Sequence, residues 1–188
     1  MRAFIAIDLP ESVHTALGEV QQIFRSDCRD ANWTRPEGIH LTLKFLGEIT
    51  EGQTKQVVEA LGQLGPFEPF TVEVKGFGFF PHAARPRVLW AGVIAPGALA
   101  ELAGRVETLM EKTGFAREDR PFAPHLTLAR FKVPRPQPVL EAAAAAQAAT
   151  SLGKFAASEF FLFESKLSSQ GAQYRKVMRF PRIVVSGQ

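Results

Sequence analysis

The chain has 188 residues, 46% hydrophobic and 22% charged, with a net charge of +3. That composition excludes a disordered or fibrous chain and fits one soluble globular domain spanning 1–188. A single cysteine, Cys28, excludes an internal disulfide, and no apolar run reaches the roughly 18–20 residues of a membrane span. The expected location is therefore the cytoplasm, and the mild basicity suits a polyanionic ligand without establishing one.

In chain order, residues 2–8 predict a strand with Ala3, Ile5 and Ile7 on one face and Phe4 and Ala6 on the other. Asp8 interrupts this apolar start too early for a signal peptide, and with Glu11 it resembles a capping box. Val13, Leu17, Val20 and Phe24 then predict a helix to about Ser26. Pro36 predicts extended backbone before it, at Trp33 and Thr34, ahead of a strand over 39–46 closed by Gly47. Thr50 and Gln53 form a second capping-box pattern, and Val57, Val58, Leu61 and Leu64 mark a helix ending at Gly65. Strands are expected at 70–80 and 87–94, around a Pro/Arg loop at 81–86. A helix from about 97 to 112 follows, with Leu99, Leu102, Val106 and Leu109 on its apolar face. A strand at 125–131, an alanine-rich helix at 142–149 and strands near 155–164 and 174–185 complete the chain. This order predicts an α+β fold with much antiparallel sheet.

One pattern occurs twice. His40-Leu41-Thr42-Leu43 returns as His125-Leu126-Thr127-Leu128, 85 residues on (40 to 125), and Arg35-Pro36 falls on Arg120-Pro121 at the same offset. Alternation along a strand puts His40 and Thr42 on one face and Leu41, Leu43 and Phe45 on the other, and divides the second copy likewise. Leu-x-Leu suits a core, and His-x-Thr suits a cleft. Two such strands facing each other supply two imidazoles and two hydroxyls for one tetrahedral anion. Opening a phosphodiester needs a base, an acid and donors for the phosphoryl oxygens, and imidazole fits either proton-transfer role near neutral pH. The pair is thus His40 and His125, with Thr42 and Thr127 as donors; which imidazole is acid and which is base stays open at this level.

A lone His on a strand is more often a half-buried structural residue; the duplication tips the balance. The other histidines carry no such signal, so His14 is expected on a solvated helix face and His82 on the loop surface. Metal catalysis would want at least three ligands, and the motifs offer two, with Asp8 a third only by assertion; no metal and no cofactor are expected. No GxSxG, Walker or GxGxxG pattern is present. Arg130 falls on the Leu face by simple alternation and reaches the cleft only if its strand twists or bulges. Arg85 and Arg87 are candidates for an RNA backbone, beside the alternative of a solvated loop. Phe4 is a candidate for stacking on a base, although a strand Phe is more often core.

The chain resembles the two-histidine (2H) phosphoesterases, in particular the bacterial and archaeal RNA 2′,3′-cyclic phosphodiesterases once called 2′–5′ RNA ligases. The likeness rests on Arg2 through Pro10, His40 through Gly47 and Arg87 through Trp90. It continues in Arg120-Pro121-Phe122, Pro124 through Leu128, Arg130, and Phe161, Phe163, Glu164, Ser165 and Tyr174. It implies a bilobal fold of two pseudo-twofold related lobes, helices on the outer faces and both motifs in a central cleft. It also implies metal-independent opening of a terminal 2′,3′-cyclic phosphate to a 2′-phosphomonoester, with His40 as proton donor, His125 as proton acceptor and Phe4 under the terminal base. The implied partner is RNA with a cyclic-phosphate end, such as a tRNA fragment, with 2′–5′ ligation as related chemistry. No membrane or obligate protein partner is implied, and nothing demands more than a monomer. The alternatives are a 2′,5′-oligonucleotide phosphodiesterase of the same superfamily and a non-catalytic module binding RNA ends. Intact histidines in both motifs argue against the module, since Arg or Lys would serve phosphate binding as well.

Overall fold

The computed structural model describes residues 1–26, 28, 30–168 and 171–181. The elements are β1 (Arg2–Ile7), α1 (Glu11–Arg25), β2 (Ala31–Trp33), a 3₁₀ turn at Pro36–Gly38, β3 (Leu41–Glu48) and α2 (Glu51–Gly62). Then come β4 (Phe70–Phe80), β5 (Val88–Ile94), α3 (Gly97–Lys112) and β6 (His125–Phe131). The chain continues through α4 (Pro138–Ala146), β7 (Ser151–Ala157), β8 (Phe160–Ser168) and β9 (Gly171–Phe180). The strands form two antiparallel sheets, in the orders β3-β1-β8-β9 and β2-β6-β5-β4-β7. Replacing β3, β1, β8 and β9 by β6, β5, β4 and β7 turns the first order into the second, apart from β2. The fold is α+β with two pseudo-equivalent lobes, as expected.

Local chemistry explains most of the elements. The α1 stripe Val13, Leu17, Val20 and Phe24 is buried as the helical period requires. Thr50 and Gln53 close a full capping box on α2. The box expected at Asp8 and Glu11 does not form. Pro10 is the residue before α1, and the Asp8 Oδ1 accepts from the Leu9 N–H at 2.9 Å instead. On α3 Met110 is fully buried, while Leu109 is only half-buried at the edge of the stripe. The strand expected near 155–164 is two, broken at Ser158-Glu159 so that β7 and β8 join different sheets. β9 ends at Phe180, and the remainder of the strand expected to 185 lies outside the described residues beyond 181.

The helices interlock the lobes. α1 follows β1 of the first sheet but packs on β7 of the second, with Phe24 edge-on to Phe77 of β4 at 5.1 Å. α3 follows β5 of the second sheet but packs against β3 of the first and beside α2. Neither sheet is covered only by helices of its own half. The two motif strands, β3 and β6, lie against each other where the lobes meet.

Candidate active site

Both motif strands are bulged at the same place. On β3, Thr42 pairs with Ala6 and Lys44 with Ile5, which leaves Leu43 as the extra residue. On β6, Thr127 pairs with Trp90 and Ala129 with Leu89, which leaves Leu128 extra, 85 residues on (43 to 128). A bulge puts two residues opposite one and reverses the alternation beyond it. Leu41, Leu43, Leu126 and Leu128 stay in the core. Past the bulge Phe45 and Arg130 turn to the side of Thr42 and Thr127, and both line the cleft. Phe45, expected on the Leu face, is 61% exposed and lies opposite Phe4.

The cleft between the sheets has a volume of about 1360 Å³ and holds His40, Thr42, His125 and Thr127 together. Each imidazole is tethered alike: Nδ1 of His40 donates to the Gly38 carbonyl at 2.9 Å, and Nδ1 of His125 to the Ala123 carbonyl at 2.7 Å. A carbonyl only accepts, so Nδ1 carries the hydrogen and Nε2 is the atom left for chemistry in both rings.

The surroundings of the two rings differ. The His40 side chain is 6% exposed, packed between Phe163 (4.4 Å), Tyr174 (5.2 Å) and Phe4 (5.6 Å). Tyr174 closes this cage because residue 38 is glycine; a Cβ there would stand 2.8 Å from the tyrosine ring. Burial pulls the His40 pKa down to about 4, against the opposing pull of the Asp8 carboxylate, whose Oδ1 is 3.9 Å from Nε2. Asp8 is itself paired with Lys176 at 2.5 Å. His125 sits in a more open position, edge-on to Phe80 at 4.9 Å. His14 is not solvated as expected: it is half-buried, with Nε2 3.1 Å from the Ile39 carbonyl. Among the described residues no three His, Cys, Asp or Glu side chains are placed to share a metal ion.

The other sequence candidates divide. Phe4 lines the cleft but is only 5% exposed, with one ring face covered by Phe163 stacked at 5.1 Å, and the exposed ring beside it is Phe45. Arg87 and Arg130 line the cleft, whereas Arg85 lies exposed on the 81–87 loop away from it. Sequence reasoning passed over Arg2 and Arg120 as phosphate contacts, and both also line the cleft. The side chains of Arg2, Arg87, Arg120 and Arg130 have no ion-pair or hydrogen-bond partner among the described residues. A signal existed for Arg2: Arg2 and Ala6 map onto Arg87 and Ala91 at the motif's own offset, making β1 and β5 part of the repeat.

Two imidazole–hydroxyl pairs from opposite sheets, ringed by unpaired guanidinium groups, have the build of a two-histidine phosphoesterase. The chain belongs to the LigT-like phosphoesterase family, whose model matches residues 7–90 and 94–174. It is 33% identical over 180 residues to the RNA 2′,3′-cyclic phosphodiesterase of Archaeoglobus fulgidus, covering 96% of this chain and 99% of the relative. The enzyme of the same name from Thermus thermophilus is 41% identical over 148 residues, 74% of each chain. The crystal structure of a Thermus thermophilus protein superposes with a TM-score of 0.78 at 32% identity, covering 96% of this chain and 97% of that one. Escherichia coli LigT complexed with 3′-AMP gives 0.75 at 25% identity, covering 95% and 96%. No helix among the described residues is long and apolar enough to cross a membrane.

Proposed function

We propose that this phosphoesterase hydrolyses the 2′,3′-cyclic phosphate at an RNA end to a 2′-phosphomonoester, with His40 and His125 as the proton-transfer pair. The observation that carries this reading is the matched pair of Nδ1-tethered histidines, each followed two residues on by threonine, in one arginine-ringed cleft. One Nε2 takes the proton of a water as its oxygen attacks phosphorus. The P–O3′ bond breaks, and the other imidazolium protonates O3′. The Thr42 and Thr127 hydroxyls donate to the non-bridging oxygens, while Arg130 and Arg87 balance the charge. With His40 as the donor implied by the family likeness, the phosphate anion in the cleft must lift its pKa from about 4. A 5′-hydroxyl in place of water would join two RNAs through a 2′–5′ bond by the same bond changes. The relatives named RNA 2′,3′-cyclic phosphodiesterase and the free thiol of Cys28 support a cytoplasmic RNA-processing role.

The test is RNA ending in a 2′,3′-cyclic phosphate, incubated with chelator, followed by identification of the product. A 2′-phosphate formed at an undiminished rate is expected. A 3′-phosphate would assign a different regiochemistry, loss of turnover on chelation would bring in a metal, and tight end-binding without turnover would make the chain a binding module. Preferred cleavage of 2′,5′-linked oligonucleotides would favour the sister activity.

Phe45 replaces Phe4 as the proposed platform for the terminal base. Base–aromatic stacking contributes about 1–3 kcal/mol. Phe45→Ala is therefore expected to raise KM about tenfold with kcat retained; an unchanged KM would remove the platform.

A further inference from the structure

A buried ion pair joins the lobes beside the catalytic strand. Lys44, two residues past Thr42, has a side chain 2% exposed, and Glu107 of α3 is 14% exposed. The Lys44 ammonium donates to both Glu107 carboxylate oxygens at 3.0 Å and to the Ala116 carbonyl at 2.9 Å, which uses all three of its hydrogens. Glu107 Oε1 also accepts from the Glu118 N–H at 2.8 Å. Ala116 and Glu118 belong to the segment linking α3 to β6, which walls the cleft from Arg117 to Ala123. That segment ends in the Ala123 carbonyl that holds Nδ1 of His125. One ammonium therefore connects the strand of the first HxT motif to the segment that orients the second histidine.

Burying two charges gains little stability over an apolar pair of similar volume, whereas removing one partner is strongly destabilising. A fixed spacing is what the pair supplies that apolar packing does not: it anchors one backbone carbonyl and one backbone N–H of the other lobe. We propose that Lys44 and Glu107 are positioning residues, a clamp that sets the separation of the two imidazoles across the cleft. The proposal rests on the cyclic-phosphodiesterase reading of that cleft.

The experiment compares wild type, Lys44→Met and the double variant Lys44→Met/Glu107→Leu on RNA ending in a 2′,3′-cyclic phosphate, with melting temperature measured alongside. The single variant should melt lower. The double variant should recover melting temperature, because neither charge is left alone, yet keep kcat about tenfold or more below wild type with KM little changed. A stable double variant with wild-type kcat overturns the proposal, since a purely structural pair would be restored by apolar packing. Should the double variant not fold, Glu107→Ala, which removes both acceptors while the Glu118 carboxylate stays 3.8 Å from Lys44, takes its place; unchanged kcat there also overturns it. An inactive wild type overturns the functional reading and this proposal together, whereas an active wild type with a fully active double variant overturns this one alone.

Discussion

Replacing His125 by alanine is expected to lower turnover of RNA cyclic phosphate by about 10²–10⁴-fold, the range a positioned general acid or base contributes. The ring stands in a relatively open position, so folding should be little affected and the loss should fall on kcat. His40→Ala is expected to cost as much activity, with some stability as well, because its ring is one wall of a cage made by Phe4, Phe163 and Tyr174. Steady-state kinetics of both variants, each shown folded by its melting transition, make the check. Either variant retaining more than a tenth of wild-type kcat would remove that ring from the chemistry.

The burial of His40 also predicts how stability depends on pH. Its folded pKa of about 4 lies below the ordinary imidazole value of 6.5. Above 6.5 the ring is neutral in the folded and unfolded chain alike, and it contributes no pH dependence. As pH falls from 6.5 to about 4, the unfolded chain takes up a proton that the folded protein refuses, so stability is lost across that window. A shift of this size corresponds to about 3 kcal/mol in all. Urea unfolding at about pH 7 and about pH 4.5 should show the fall in wild type and a flatter profile in His40→Gln. Equal pH dependence in the two proteins would mean that the folded ring protonates normally. With His40 as the proton donor, kcat/KM, which reports the free enzyme, should fall as pH rises above about 4; a fall below that value would make His40 the base instead.

Legibility followed the range of the cause. The two HxT strands were readable because side-chain alternation is local, and the leucine faces landed in the core as expected. The Thr50–Gln53 box was readable for the same reason, while the Asp8–Glu11 pattern failed because the Asp8 carboxylate engages Leu9, Lys176 and the His40 edge. Phe45 and Arg130 could not be oriented, since the bulges that turn them arise from how β3 pairs with β1 and β6 with β5. How little of Phe4 is exposed could not be read locally, because nothing in its neighbourhood says that Phe163, far along the chain, would take one face of its ring. Arg2 was within reach of the sequence, since it maps onto Arg87 one strand of the repeat further out than the motif itself.

The amino-acid sequence by itself determined the candidate reacting groups, their duplication, the family and most of the elements, because residue type and short-range periodicity act within a few neighbours. Which helix covers which sheet, which ring is shielded from water and which side chains past the bulges face the cleft were decided only by the tertiary structure. An apolar stripe specifies that a face is buried but not against what, and the pKa of an imidazole is set by whatever the fold brings around it.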